Sequence, residues 1–294
     1  MKRIVSALLA CVLCAFFVHA ADRAAAPRHL PRPDHVVVVF MENRAYTHII
    51  GNMAAPYINT LANRGALFAQ SYGITHPSQP NYLAFFSGST QGIADNGCPH
   101  TLSGSNLASA LLNAGFTFGI YSEDLPSVGY TGCRHLNYER KHNPAVNWQG
   151  VNVPPSANMP FTAFPADFSR LPTVSIVVPN QENDMHNGDE PATIIRGDQW
   201  LRARLDAYVS WAQTHNSLLI VTWDEDDGSG NNRIATIFGG PMVRPGVYHQ
   251  RIDHYSILRA LLDLYGLTPL GASATATAID FAWTADAHAG GAGR

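Results

Sequence analysis

The sequence predicts a doubly wound α/β fold, a mostly parallel sheet flanked by helices. Three observations carry that prediction. Continuous, β-branched apolar runs recur at residues 35–40 (HVVVVF), 173–178 (TVSIVV) and 217–223 (SLLIVTW), as expected of strands buried on both faces. Helical patterns lie between these runs, so strands and helices alternate. Each run also empties into carboxylates, amides or a histidine, at the strand ends where an open α/β sheet keeps its chemistry.

In chain order, Met1-Lys2-Arg3 is a basic start, residues 4–18 are almost wholly apolar, and Val18-His19-Ala20 is a cleavage site of the small-x-small type. Residues 1–20 therefore read as a secretory signal peptide. A lipoprotein reading through Cys11 leaves too short an apolar core. Residues 21–33, rich in Ala, Pro and Arg, read as a flexible leader, and residues 34–284 as a single domain. After the first strand, a helix over 55–64 places Ile58, Leu61 and Ala62 on one face and meets Gly65 at its C-cap. A second helix follows THPSQPN, and a third over 107–114 ends at Gly115. Residues 116–121 are a weaker strand. Residues 130–168, rich in Pro, Asn and aromatic residues, form a loop-rich cap. A helix over 198–214 aligns Leu201, Leu205, Tyr208 and Trp211, and one over 253–264 aligns Ile257, Leu258, Leu261 and Leu262. The Gly/Ala tail 285–294 reads as disordered.

Composition narrows the class of partner. Only 14% of residues are charged, and without Lys2 and Arg3, 17 of the 19 basic residues face 22 acidic ones. A mildly acidic chain is not drawn to nucleic acid by charge. No apolar run after the signal is long enough for a transmembrane segment, so the mature protein is expected to be secreted or periplasmic. Cys11 and Cys14 leave with the signal, and Cys98 and Cys133 remain. In an oxidising compartment these make one disulfide, closing a loop of about 35 residues worth about 3–4 kcal/mol, or else stay as two buried thiols.

The strand ends supply the candidate site. Residue 40 is followed by Met41-Glu42-Asn43-Arg44, residue 178 by PNQENDMHNGD with Asp184 and His186, and residue 223 by Asp224-Glu225-Asp226-Asp227-Gly228. Carboxylates converging on one crevice repel unless a cation neutralises them. One or two divalent ions are expected, and an oxygen-rich donor set with histidines suits Mg, Ca, Mn or Zn alike. Ser78 in THPSQPN sits at a helix N-terminus, where free N–H groups and the dipole seat an anion. Its hydroxyl needs activation to act as a nucleophile, and a metal held by Glu42, Asn43 and the Asp224 cluster provides it. Asn81, one turn on, is expected to donate to a phosphoryl oxygen.

VVVVFMENRAY, THPSQPNYLAFFSG, PNQENDMHNGD, GDQWL, VTWDEDDG and DHYSILRALLDLYGL occur in that order. Together they resemble the bacterial phosphoesterase family of secreted acid phosphatases and phospholipases C, over residues 35 to 270. The resemblance implies an alkaline-phosphatase-like fold and a metal-assisted double displacement through phosphoserine. It implies Ser78 as nucleophile and Glu42, Asn43, Asp224 and Glu225 as metal ligands. Asp184 and His186 match a second metal position, and His254 its distal histidine. Histidines are fewer than in two-zinc members, and an Asp-His pair has become Asp224-Glu225. A single functional metal fits that change, with His186 then a general acid or a phosphate ligand. His76, His142 and Asp226 are secondary candidates, and Arg140 and Lys141 are phosphate clamps or surface residues.

The resulting expectation is a secreted, metal-assisted phosphomonoesterase acting on a phosphate ester of a small molecule or lipid headgroup. The alternatives are a phospholipase C-type phosphodiesterase and a non-catalytic exported protein that binds metal or phosphate. Sulfate-ester chemistry is disfavoured, because the Cys-x-Pro-x-Arg motif is absent and Ser78-Gln-Pro-Asn-Tyr lacks its arginine.

Overall fold

Eight strands form the central sheet in the order Gly246–Tyr248, Ala66–Phe68, Thr236–Gly239, Ser217–Trp223, His35–Met41, Val174–Val178, Phe118–Ser122, Asn158–Pro160. The computed structural model that shows this describes residues 30–284. The signal peptide, residues 21–29 of the leader and the tail 285–294 lie outside the described residues. Within the sheet only Thr236–Gly239 runs against its neighbours, so the sheet is mostly parallel, as predicted. His35–Met41 lies centrally, parallel to Val174–Val178 on one side and to Ser217–Trp223 on the other.

Both faces of the central strand are covered, which is why its sequence runs without alternation. Val36, Val38 and Phe40 belong to the core that includes Leu83, Phe86, Leu258 and Leu261. Val37, Val39 and Met41 belong to the opposite core with Ile58, Leu61, Leu201 and Leu205. Helices Ser78–Ser87 and His254–Leu264 thus cover one face, and Pro56–Arg64 and Ala192–Ala212 the other. Gly88 closes the Ser78 helix in the left-handed region, φ +72°, the usual use of glycine at that position.

Three differences from the sequence reading have physical causes. Residues 30–33 are packed rather than free. Asn216 donates to the Arg32 carbonyl at 2.8 Å and Tyr265 to the Pro33 carbonyl at 3.1 Å, while the Arg32 guanidinium lies 5.0 Å over the Phe116 ring. The cap contains an eighth strand, Asn158–Pro160, paired with the edge at Ile120–Ser122. Backbone pairing at an exposed edge tolerates a proline and requires no β-branched signal. The long helix begins at Ala192 instead of 198. Gly197-Asp198 looks like a helix start, but Gly197 lies inside the helix because Met185 packs on it; a Cβ there would meet Met185 Cγ at 2.5 Å.

Asp198 instead caps another helix. Its carboxylate accepts from Ile58 N–H at 2.8 Å and Tyr57 N–H at 3.2 Å, satisfying two orphan donors at the start of Pro56–Arg64, where the preceding residue, Ala55, provides no side-chain cap. Removing it in Asp198→Ala should cost about 1–2 kcal/mol of unfolding free energy, read from the denaturant midpoint, with Asp198→Asn losing less. An unchanged midpoint in Asp198→Ala would show that solvent serves those donors equally well.

Candidate active site

Main-chain hydrogen bonds beyond the strand ends create the site. Glu42 N–H donates to the Asp184 carbonyl at 2.8 Å, and Asp224 N–H to the Met41 carbonyl at 3.0 Å. Glu42 and Asp224 at strand ends and Asp184 in the loop after Val178 therefore lie side by side, Glu42 in the middle, and all are buried. Asn43 turns the chain away at φ +46°, a conformation asparagine tolerates, and its N–H donates to Asp224 Oδ1 at 3.2 Å.

The Ser78 helix closes the pit. Ser78 is its first residue, after Pro77, and its buried hydroxyl lies 3.2 Å from both Glu42 Oε2 and Glu225 Oε1. The anion seat is narrower than the sequence suggested. Gln79 N–H is taken by Asn96 Oδ1 at 3.0 Å and Pro80 has no N–H, so in this first turn the Ser78 N–H is the donor left.

An oxygen count separates ligands from supports. Asn43 Oδ1, Asp224 Oδ2 and Asp184 Oδ2 are buried without a hydrogen-bond partner among the described residues, and such atoms are costly unless something fills the space between them. Glu42, His142 and Asp184 can each place one ligand atom within 4.8 Å of the others. His142 Nε2 is 3.2 Å from Glu42 Oε2 and its Nδ1 3.6 Å from Asp184 Oδ2. Unpartnered carboxylate and amide oxygens beside one imidazole fit a divalent cation. His142, a secondary candidate by sequence, thus belongs with Glu42 and Asp184.

Other candidates land elsewhere. Glu225, expected as a ligand, has both oxygens engaged: Oε1 with Ser78, and Oε2 with Asn81 Nδ2 at 3.2 Å and His76 Nδ1 at 3.0 Å. Asn81 does not offer its amide to a phosphoryl oxygen. Its Oδ1 accepts from the Ile74 and Thr75 N–H groups, and its Nδ2 donates to the Thr75 carbonyl, which clips the strap before Ser78 in place. His254 is not in the ligand cluster; its Nε2 meets the main-chain carbonyl of Asp224 at 2.6 Å. Asp226 holds its own loop through Gly228 N–H and Asn232 N–H, and His76 Nε2 lies 3.1 Å from its Oδ1. His186 anchors Asp184 by its N–H at 2.7 Å, and its Nδ1 meets Asn187 Oδ1 at 3.1 Å, leaving Nε2 without a hydrogen bond among the described residues.

The cap contributes His142 through a braced turn. Cys98 and Cys133 are disulfide-bonded. Arg140 is buried and donates to the Thr131 carbonyl and the His100 carbonyl, each at 2.6 Å, so it ties both sides of that bridge together instead of clamping phosphate. The next two residues, Lys141 and His142, are thereby carried to the pit. Glu123 braces the opposite side, accepting from Asn180 N–H, Asn183 Nδ2 and Trp200 Nε1. At the rim, His48 Nδ1 bridges Glu190 at 2.9 Å and Asp227 at 3.0 Å, with Arg44 Nε 3.3 Å from Glu190, an ion-pair cluster unread in the sequence. No helix among the described residues is long and apolar enough to cross a membrane.

The fold has counterparts among solved structures and the sequence has phosphatase relatives, which make the chain a phosphoric ester hydrolase. A solved structure of a protein in the alkaline phosphatase superfamily from Vibrio parahaemolyticus matches with TM-score 0.57 over 83% of this chain and 72% of that one, at 13% identity, which shows a shared fold. Residues 52–268 match the Phosphoesterase family, and the chain belongs to that family. Phosphatidylinositol-3-phosphatase of Mycobacterium tuberculosis is 49% identical over 282 residues, 94% of this chain and 92% of that protein. Acid phosphatase of Aspergillus fumigatus is 30% identical over 72% of this chain and 51% of its own length, so the chain spans about half of that fungal relative.

The charge state of the pit follows from burial. Burial pulls Glu42 upward, but His142 and Lys141, with the Tyr82 hydrogen bond, hold it down at about 2. Burial and then the Glu42 charge push Asp184 and Asp224 well above the carboxylate range, and Glu225 up to about 8. Without a cation, therefore, the native pit retains protons that the unfolded chain releases. That contribution is complete below the unfolded carboxylate values of about 4 and is lost as pH rises through the folded ones. Glu42 acts in the opposite sense, but only below about pH 4. Chelated protein should accordingly melt at progressively lower temperature from about pH 5 to about pH 8, and a saturating divalent ion, taking the place of the protons, should flatten that slope. Parallel melting curves with and without the ion would contradict this electrostatic account.

Proposed function

We propose that this phosphoric ester hydrolase is an exported phosphomonoesterase working through a phosphoserine on Ser78. The observation that carries the proposal is the Ser78 hydroxyl, held between Glu42 and Glu225 at 3.2 Å from each beside unpartnered ligand oxygens. Of the two carboxylates Glu225 is the more basic, and in its ionised form it takes the hydroxyl proton as Ser78 Oγ bonds to phosphorus. The bond from phosphorus to the leaving oxygen breaks, and His186, through its free Nε2, protonates that oxygen. Water then attacks the phosphoserine and gives its proton to His186. The P–Oγ bond breaks, and Ser78 recovers its proton from Glu225.

Glu42, Asn43 and Asp224, with Asp184 and His142 alongside, would hold a divalent cation, whose positive charge would acidify the serine and neutralise phosphoryl oxygens. Lys141 adds a fixed charge felt by Glu42, Asp184 and Glu225, which suits a dianionic monoester. Export is supported by the basic-then-apolar start of the sequence and by the Cys98–Cys133 bridge, a bond that persists in oxidising compartments. The substrate in the name of the mycobacterial relative, phosphatidylinositol 3-phosphate, is the first lipid to assay.

Ser78→Ala should lower hydrolysis of p-nitrophenyl phosphate about a thousandfold or more while leaving the melting temperature intact. Acid-quenched wild type should carry phosphate on Ser78, and chelation should abolish turnover until one particular ion is restored. Near-wild-type activity in Ser78→Ala would remove Ser78 as nucleophile. Hydrolysis of bis-p-nitrophenyl phosphate in preference to the monoester would convert the reading to a phosphodiesterase.

A further inference from the structure

Tyr82 looks in sequence like one of the apolar anchors of the Ser78 helix, and its ring does pack in the core. It is fully buried, 4.9 Å between centroids from Phe40 and 5.3 Å from His142, nearly parallel to the latter at 21°. Its hydroxyl, however, donates to Glu42 Oε1. Ser78 and Tyr82 are four residues apart and so share one helix face, and both grip the same carboxylate. Tyr82 holds Oε1, while Ser78 at 3.2 Å and His142 Nε2 at 3.2 Å meet Oε2.

We propose that Tyr82 is a positioning residue, orienting Glu42 so that one oxygen faces the nucleophile and the cation site while its ring fixes the plane of His142. The proposal rests on the assignment of Ser78 and Glu42 above. A carboxylate on a flexible two-carbon stem, buried between a serine and an imidazole, would otherwise rotate freely between orientations. The tyrosine restrains it from the same rigid helix that carries the nucleophile, so the spacing between the nucleophile and the group that orients its carboxylate is set within one element. Outer hydrogen bonds of this type tune ligand groups strongly, and their loss typically changes metal affinity or activity by about 10–100-fold.

The test is Tyr82→Phe in the full chain, which keeps the ring and deletes one hydroxyl. Expected are a fall in kcat of about 10–100-fold with KM within about threefold, and a fall of about tenfold in affinity for Mn²⁺ and Zn²⁺ titrated calorimetrically into chelated protein. The melting temperature should stay above the assay range. Values of kcat and ion affinity within twofold of wild type would overturn the proposal. If the variant does not fold, 3-fluorotyrosine at position 82 retains the shape and strengthens the donor, and an unchanged kcat and ion affinity in that protein would overturn it equally. Ser78→Ala and Glu42→Gln measured alongside keep the two readings apart. Activity surviving in those variants defeats the nucleophile assignment and the Tyr82 proposal with it; their inactivation beside an unaffected Tyr82→Phe defeats the Tyr82 proposal alone.

Discussion

The structure turns on one constraint: main-chain hydrogen bonds on either side of the central strand's end hold three acids in one buried space. Because the Glu42 N–H meets the Asp184 carbonyl and the Asp224 N–H meets the Met41 carbonyl, these residues cannot separate without breaking those main-chain hydrogen bonds. Burying ionised carboxylates costs several kcal/mol each unless they are paired. His142 and Lys141 hold Glu42 down while burial and the Glu42 charge push Asp184 and Asp224 up, which gathers the negative charge on Glu42. Ligand site and electrostatic strain are thus two descriptions of the same register.

Around that pit the supporting side chains are distinguished by where their hydrogen bonds go. The run Asp224-Glu225-Asp226-Asp227 illustrates it. Asp224 leaves one oxygen unpartnered, Glu225 spends both of its oxygens on Ser78, Asn81 and His76, Asp226 closes its own loop, and Asp227 joins the rim ion pair. Four adjacent acids therefore do four different things. Composition alone could not divide them, because the division depends on which amide or hydroxyl approaches from elsewhere in the chain.

That dependence also explains what was legible in the sequence. The runs at residues 35–40, 173–178 and 217–223 announce double-sided burial through their own side chains, and the polar residues just after them announce the crevice. Short strands such as Ala66–Phe68 and Asn158–Pro160 are made by the edge they join, so their residues bear little local signal. Glycine at 197 reads as a breaker until Met185 is seen against it. His142 comes into the site because Arg140 and the Cys98–Cys133 bridge brace its turn, a long-range fact. Asn81 as a phosphoryl donor and His254 as a metal ligand were plausible by type, yet the Asn81 amide is committed to the Thr75 strap and His254 Nε2 to the Asp224 carbonyl. Tyr82 was hidden differently: a phenol counts as apolar in a helical pattern, and only its partner reveals the hydroxyl.

The setting of Ser78, the proposed nucleophile, follows from the same logic. All ten residues of Ser78–Ser87 are buried, so the helix presenting Ser78 is part of the core rather than a loop set upon it. Catalytic groups gain most when their positions cost no reorganisation during reaction, and a core helix meets that condition better than any surface segment. Asn81 pins the strap before the helix, and Gly88 ends it sharply. What surrounds the pit is less buried: the half-exposed His76 (side chain 45% accessible) and the cap turn bearing Lys141. A rigid Ser78 and a more open rim are compatible because separate layers of the fold supply them.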